Sequence, residues 1–114
     1  MDECLFCKMV AGDIPADIVY QDDDVLAFRD INPQAPVHIL IIPKRHISTL
    51  NDLTPDDATL IGKLSLAAAR IAEQEGIAEA GYRTLINTNR EGGQVVFHIH
   101  MHLMGGRRML WPPG

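Results

Sequence analysis

Three histidines stand at alternate positions near the end of the chain, in the segment VVFHIHMHLMGG that spans residues 95–106. They are His98, His100 and His102, and the chain has five histidines in all. An imidazole can attack an electrophile, carry a proton or bind a metal, so this spacing predicts a catalytic segment. The alternative is a solvent-facing strand that happens to carry histidines, and three of them in register argue against it.

The alternation indicates a β-strand, on which all three histidines would share one face. Residues two apart lie roughly 6.6 Å apart along a strand, which separates His98 from His102 by about 13 Å. Zinc–nitrogen bonds are about 2 Å long, so one zinc cannot bind all three rings and their roles must differ. The opposite face would carry four apolar residues that can pack under a helix: Phe97, Ile99, Met101 and Leu103.

A glycine-containing loop, EGGQ at residues 91–94, precedes the histidines, and Gly105 and Gly106 follow them. Glycines let backbone N–H groups approach an anion closely, so this arrangement suits phosphate chemistry. The loop alone would be weak evidence, because the same residues are more often a simple turn.

Cys4 and Cys7 form a C-x-x-C pair. A thioredoxin-like redox motif would follow a strand and open a helix, whereas this pair has no strand before it. Nothing in the sequence indicates secretion, which argues against a disulfide. The pair is therefore either half of a metal site or two unremarkable thiols.

Hydrophobic patterning predicts an α+β fold built on an antiparallel sheet. ADIVYQDDDVLAFRD predicts two strands around the acidic turn Asp22–Asp24, and PVHILIIP predicts a buried strand. YRTLINT and VVFHIHMHLM predict two more strands, joined by the polar loop NREGGQ. The sheet should therefore have about five strands, with helices across a face.

LTPDDATLIGKLSLAAARIAEQEG predicts the one long helix. Thr54 can be its N-cap, Pro55 its first residue and Asp57 the partner in a capping box, while Gly76 can end it. Apolar residues recur at helical period along it: Leu60, Ile61, Leu64, Ala68, Ile71 and Ala72. A shorter helix is expected around Phe6–Ala11.

Length and composition indicate one soluble domain spanning residues 1–114. Hydrophobic residues make up 46% and charged residues 22%, and the net charge of −5 argues against a nucleic-acid-binding surface. No apolar run approaches membrane-spanning length, and MDECLFCK lacks the charged-then-apolar order of a signal peptide. We therefore expect a cytoplasmic protein without membrane or nucleic-acid partners.

The segment HIHMHLM has the form His-x-His-x-His-x-x with apolar x, and resembles the signature of the histidine triad (HIT) superfamily. IVYQDDDVLAFRDINPQAPVHILIIPKRHI, INTNREGGQVVFHIHMHLMGG and the C-terminal WPPG are similar to its Hint branch, the histidine triad nucleotide-binding proteins. This resemblance implies a homodimer in which two HIT-fold sheets join. It also implies a hydrolase that cleaves the P–N bond of purine nucleoside 5′-phosphoramidates, such as adenylated amines, and releases AMP.

The same resemblance implies roles for individual residues. His100 would attack phosphorus and become nucleotidylated, His102 would contact the phosphate and the leaving group, and His38 would buttress the nucleophile. Asp30 would accept the ribose hydroxyls, although from the residues alone it is a strand-ending turn residue. The apolar base pocket would contain five residues that could equally be core: Leu5, Phe6, Phe28, Ile31 and Leu40. The phosphate-side loop would contain Asn87, Gly93 and Gln94.

Val95 departs from the family pattern. Many Hint members have a serine at this position, two residues after the glycine pair, whose hydroxyl reaches the phosphate or the leaving group. Val95 can still offer its backbone N–H to a phosphate but has no side-chain proton. The departure bears on rate and leaving-group preference, and leaves the nucleophile and the reaction class intact.

Several superfamily members bind zinc through residues matching Cys4, Cys7, His46 and His98 here. Two thiolates and two imidazoles are typical of a closed, structural zinc site, so no cofactor would be needed for catalysis. Many Hint proteins lack the cysteines and fold without metal, which leaves the two interpretations of the C-x-x-C pair open.

Two other functions remain open at this point. A neighbouring HIT branch would hydrolyse dinucleoside polyphosphates or transfer a nucleotidyl group, but the Gly-Gly loop and the WPPG tail favour the Hint branch. A non-catalytic module would bind a purine nucleotide such as AMP and signal to a partner.

Overall fold

The computed structural model describes residues 4–114. Its elements, in chain order, are α1 (Leu5–Ala11), β1 (Ile18–Gln21), β2 (Val25–Arg29), β3 (Val37–Pro43), the 3-10 turns Leu50–Asp52 and Pro55–Asp57, α2 (Ala58–Gln74), β4 (Tyr82–Ile86) and β5 (Met101–Gly105). The predicted α+β class, with five strands, one long helix and one short helix, is confirmed. Neither of these helices has the length and apolar composition that crossing a membrane requires.

The five strands form one antiparallel sheet in the order β1-β2-β3-β5-β4. β3 occupies the centre, and its residues from His38 to Pro43 are buried. A central strand covered on both faces needs apolar side chains in both directions, which explains the continuous apolar run of PVHILIIP. The prediction of a buried strand is confirmed.

Helix α2 begins as the sequence predicts but with a tighter first turn. The Asp57 carboxylate accepts the backbone N–H of Thr54 at 2.9 Å, and Pro55–Asp57 is a 3-10 turn before the α-helix starts at Ala58. The helix buries a face at helical period that contains Leu64, Ala67, Ala68, Ile71 and Ala72. Just beyond its end, Glu75 accepts two hydrogen bonds of 2.9 Å from the Arg29 guanidinium of β2. α2 is therefore anchored to the sheet by apolar packing and by a bidentate ion pair.

The two faces of the sheet pack against different helices. Ile39 and Ile41 of β3 belong to the large core under α2, whereas Leu40 and Ile42 pack with Phe6 of α1. His38 precedes Ile39 and so shares the face of Leu40, because side chains alternate along a strand. The α1 face consequently combines a small apolar cluster with histidine side chains.

The final strand is shorter than predicted, because β5 begins at Met101 and not at Val95. The strands on either side of β5 stop pairing with it at that point. β4 ends at Ile86, opposite Met101, and the register of β3 would place Pro43 opposite Ile99. Proline has no N–H to donate to a ladder. The Ile99 N–H instead donates to the Ile47 carbonyl at 2.7 Å.

Because the strand pairing of β5 does not extend before Met101, one residue that was predicted to lie in the core is exposed. Ile99, Met101 and Leu103 lie in the core under α2, as expected. The prediction for Phe97 is wrong, since its side chain is 47% exposed. No strand pairing extends that far to orient it.

Candidate active site

A cavity of about 390 Å³ opens on the α1 face of the sheet. Eleven of the predicted site residues line it: Leu5, Phe6, Phe28, Asp30, Ile31, Leu40, Asn87, Gly93, Val95, His100 and His102. The structure thus brings together the apolar residues, the carboxylate and two of the three histidines. Gln94 does not line the cavity, and its buried side chain hydrogen-bonds within the protein.

The cavity wall also contains residues that sequence reasoning missed. Met9 follows Leu5 by four positions on α1 and therefore shares its helical face, a signal that could have identified it. Ala16 and Val96 line the wall from irregular segments, where no periodicity predicts which way a side chain points.

The ring of His100 is fixed by a backbone contact. Its Nδ1 lies 2.9 Å from the His98 carbonyl oxygen, which can only accept, so Nδ1 carries the proton. In the neutral ring Nε2 then keeps its lone pair. Phe6 packs edge-on against this ring, with the centroids 5.1 Å apart. His100 is therefore held in the tautomer that a nitrogen nucleophile requires.

His38 and His102 form a chain of hydrogen bonds that begins at the backbone. The Gln34 N–H donates to His38 Nδ1 at 2.9 Å, so the proton of neutral His38 resides on Nε2. That nitrogen donates to His102 Nδ1 at 2.9 Å, which leaves the single proton of neutral His102 on its own Nε2. One backbone amide thus determines the tautomers of two imidazoles in sequence.

This arrangement differs from the role that the family resemblance implied for His38. The hydrogen bond of His38 goes to His102, whereas the ring of His100 is held by the His98 carbonyl. Strand register explains the difference, because β3 places Leu40 opposite His102 in β5 and leaves His38 diagonally across from it. His100, which precedes β5, lies further along.

Burial keeps the rings of His38 and His102 neutral. Desolvation, assisted by the neighbouring His100 and His38, lowers the pKa of His102 to about 4, and burial also lowers the pKa of His38. At neutral pH, His102 is therefore a hydrogen-bond donor of one N–H and carries no charge.

Asp30 connects the polar and apolar parts of the cavity. One carboxylate oxygen accepts the Asn32 N–H at 2.8 Å, and the other lies 3.4 Å from His38 Nε2. Phe6, Phe28 and Leu40 are buried beside it, with the two phenyl rings 5.5 Å apart in an edge-on arrangement. The cavity therefore offers an apolar slot, a hydrogen-bond acceptor and imidazoles along one wall.

A second cluster contains the other predicted ligands, Cys4, Cys7, His46 and His98, whose ligand atoms all lie within 4.8 Å of one another. His98 Nδ1 is 3.4 Å from Cys4 Sγ and 3.6 Å from Cys7 Sγ, and His46 Nδ1 is 3.3 Å from Cys7 Sγ. A tetrahedral zinc would separate sulfur from nitrogen by roughly 3.5 Å. The donor set and its spacing fit this ion.

The surroundings of the cluster also fit a metal. His98 Nε2 donates to the Pro43 carbonyl at 2.8 Å, which leaves Nδ1 as a lone-pair donor toward the cysteines. Burial raises the pKa of the Cys7 thiol to about 11, so a metal must displace a proton to bind there. His98 and His102 belong to separate clusters, in agreement with the expectation that one zinc cannot bind all three histidines.

The lowered pKa of His102 predicts a pH-dependent stability. The unfolded chain, with an ordinary pKa of 6.5, binds a proton at a higher pH than the folded chain, with a pKa of about 4. This group therefore makes the protein less stable as the pH falls through that interval. A His102→Gln variant should lose less stability than the wild type between about pH 7 and pH 4.5, by about 1–3 kcal/mol in urea unfolding. Parallel stability curves for the two proteins would contradict the assignment.

Comparisons with known proteins agree with this geometry. A family model for the HIT domain matches residues 11–109. The chain is 60% identical over 106 residues to the purine nucleoside phosphoramidase of Escherichia coli. The aligned region covers 93% of this chain and 89% of that protein. A HIT family hydrolase from Legionella pneumophila Philadelphia 1 has a TM-score of 0.97 at 55% identity, covering 98% of this chain and 100% of that one.

A zinc-bound histidine triad family protein from Mycobacterium smegmatis is also similar, with a TM-score of 0.80 at 34% identity. The match covers 94% of this chain and 77% of that one. Since the family model spans most of the chain and the triad histidines lie at one cavity and one adjoining cluster, this protein belongs to the HIT domain family.

Proposed function

We propose that this protein hydrolyses the P–N bond of purine nucleoside 5′-phosphoramidates, of the AMP-amine or AMP-lysine type, and releases AMP and an amine. The observation that carries the proposal is the contact that holds His100 Nδ1 against the His98 carbonyl, which leaves Nε2 as the ring nitrogen that can offer a lone pair in a ring that lines the cavity. The 60% identity to a purine nucleoside phosphoramidase supports the substrate class.

The reaction proceeds in two displacements. His100 Nε2 attacks phosphorus, the P–N bond to the amine breaks, and the departing nitrogen takes a proton from solvent water, which the water that attacks in the second step gives back. His102 donates its N–H toward the phosphoryl oxygens, where negative charge increases in the transition state. Water then attacks the nucleotidylated His100, which regenerates the free ring and releases AMP.

The rest of the cavity binds the nucleoside. The purine lies in the apolar slot between Phe6, Phe28 and Leu40, and Asp30 accepts the ribose hydroxyls. Val95 lies 85% exposed at the mouth, where its side chain meets the leaving group without offering a proton. The site thus recognises the nucleoside by shape and leaves the amine side open.

The proposal predicts that His100→Ala lowers phosphoramidate hydrolysis by about 10³-fold or more, because no other group supplies the nucleophile. AMP binding, measured by calorimetry, should persist. Mass spectrometry of quenched wild-type turnover should find a nucleotidyl adduct on His100, and an adduct on His98 or His102 would overturn the assignment.

Competing substrates separate the proposed reaction from the other two functions. Adenosine 5′-phosphoramidate should turn over faster than diadenosine polyphosphate. The reverse ranking would indicate a dinucleoside polyphosphate hydrolase or a nucleotidyl transferase. Binding of AMP without turnover of either substrate would indicate a non-catalytic nucleotide-binding module.

We also propose that Cys4, Cys7, His46 and His98 bind a structural zinc. The support is their sulfur–nitrogen spacing of 3.3–3.6 Å and the zinc-bound relative from Mycobacterium smegmatis. The ion would join α1 to the segments that carry the two histidines and would supply folding free energy rather than chemistry.

A Cys4→Ser, Cys7→Ser double variant tests the zinc site. Purified wild-type protein should contain about one zinc per chain by elemental analysis, and the double variant should contain none. The double variant should lose thermal stability, seen as a lower melting temperature, more than it loses hydrolysis rate per folded molecule. The reason is that a closed metal site constrains the fold and takes no part in the chemistry. If the wild-type protein without metal were as stable as the same protein with zinc, the proposal would be wrong and the cysteines would be two unremarkable thiols.

We infer further that the protein works in the cytoplasm as a homodimer, with its sheet continued by that of a partner. β4 is an edge strand of the sheet, and the apolar side chain of Trp111 is 82% exposed in the single chain. Arg83 of β4 donates to the Leu110 carbonyl at 3.0 Å, which positions the tail near this edge. An exposed tryptophan beside an open edge suits an interface between two chains.

Deleting residues 109–114 should change the preference among amine leaving groups more than the preference among bases. The reason is that the tail would cross the dimer contact and lie near the partner's cavity. Steady-state rates on a series of amines, with sedimentation to follow the dimer, measure this. An unchanged ranking, with solvent-like tryptophan emission in the intact protein, would contradict the proposal.

A further inference from the structure

The Gln94 side chain is buried and fully engaged within the protein. Its Nε2 donates to the Ser48 carbonyl at 2.7 Å and to the Val96 carbonyl at 3.1 Å. Its Oε1 accepts the Asn89 N–H at 2.8 Å. A glutamine amide has only two N–H donors, and both are used here. Gln94 consequently has no side-chain donor left for a phosphate.

These contacts close the loop before the histidines. The Gln94 backbone N–H also donates to the Asn89 carbonyl at 3.0 Å, so the two residues are joined by a pair of hydrogen bonds. Asn89 has a positive φ of 61°, which turns the chain back on itself. Inside the turn, a Cβ added to Gly92 would lie 2.4 Å from the Thr88 carbonyl oxygen, so only glycine fits there.

The closed loop faces the catalytic histidines. β4 pairs Leu85 with His102 and Ile86 with Met101, and the next residue, Asn87, lines the same cavity as His100. Asn87 and Gly93 both line the cavity, and a Cβ on Gly93 would be 4.0 Å from Asn87 Nδ2. We call residues 87–95 the phosphate-side loop.

We propose that Gln94 is a positioning residue that braces the phosphate-side loop so that Asn87, Gly93 and Val95 meet the phosphoryl group. This inference rests on the proposed nucleotide site. The brace has its outer anchor at Ser48, in the segment that follows β3, and its inner anchors at Asn89 and Val96. It replaces the direct nucleotide contact that the family resemblance implied for Gln94.

A Gln94→Met variant tests the brace, because methionine has a similar length and no N–H donors. Gln74→Met, at an exposed position near the end of α2, is the matched control. Calorimetry measures the affinity of each protein for AMP and for adenosine, which lacks the phosphate. The ratio of AMP affinity to adenosine affinity should fall by about tenfold in Gln94→Met and stay at the wild-type value in the control.

Hydrogen exchange of the ligand-free proteins separates a brace from a direct contact. Amides of the phosphate-side loop should exchange about tenfold faster in Gln94→Met, because the loop opens more often. A loop that exchanges at the wild-type rate while AMP affinity falls would indicate a direct contact and overturn the proposal. An unchanged affinity ratio in the folded variant would overturn it as well.

A replacement variant and the wild-type affinities keep failure of the brace distinct from failure of the proposed function. If Gln94→Met fails to fold, Gln94→Asn replaces it, since its shorter side chain cannot span all three anchors. If the wild type binds AMP no better than adenosine, that result contradicts the proposed function. The exchange rates then decide by themselves whether Gln94 braces the loop.

Discussion

The organisation of the site depends on His98, a fully buried residue whose two ring nitrogens and carbonyl oxygen all have partners. Its Nε2 donates to the Pro43 carbonyl, its Nδ1 faces the two cysteines, and its own carbonyl accepts the Nδ1–H of His100. Side chain and main chain of one residue thus connect the cysteine cluster to the ring of His100. Because a buried polar atom without a partner is destabilising, this geometry has little freedom to change.

Backbone groups, rather than charges, decide which imidazole nitrogens carry protons. The carbonyls of Pro43 and His98 and the N–H of Gln34 each impose one tautomer, and His38 passes that constraint to His102. Burial lowers the pKa values of His38 and His102 and so keeps both rings neutral. The tautomer of His100 and the neutral N–H donor of His102 are therefore set before any ligand binds, which is the preorganisation that the proposed reaction requires.

The sheet separates stability from chemistry by its two faces. The α2 face contains the large apolar core, whereas the α1 face has a small apolar cluster, the cavity and the histidines. The short helix α1 covers the second face through Phe6, which contacts the rings of both His98 and His100. The cysteines at its start lie against His46 and His98, so the cluster and the apolar slot are joined through one helix.

Local patterns in the sequence determined much of this protein. Helix capping at Thr54, the continuous apolar run of β3 and the alternation of apolar residues from Ile99 onward each depend on neighbours along the chain. The triad spacing and the long segments similar to the Hint branch identified the family, and the length of a zinc–nitrogen bond already separated His98 from His102.

Tertiary structure alone decided where each of these groups makes its contacts. The pairing of β3 with β5 ends the last strand at Met101, exposes Phe97 and directs His38 to His102 rather than to His100. The folding of the phosphate-side loop turns the Gln94 amide toward Ser48, 46 residues away in sequence. Cys4 contacts His98, which is 94 residues away in sequence, only because the tertiary fold brings α1 to the segment before β5. Hydrogen-bond partners of buried polar atoms are set by strand register and loop closure, and both follow from packing between distant segments that no local pattern encodes.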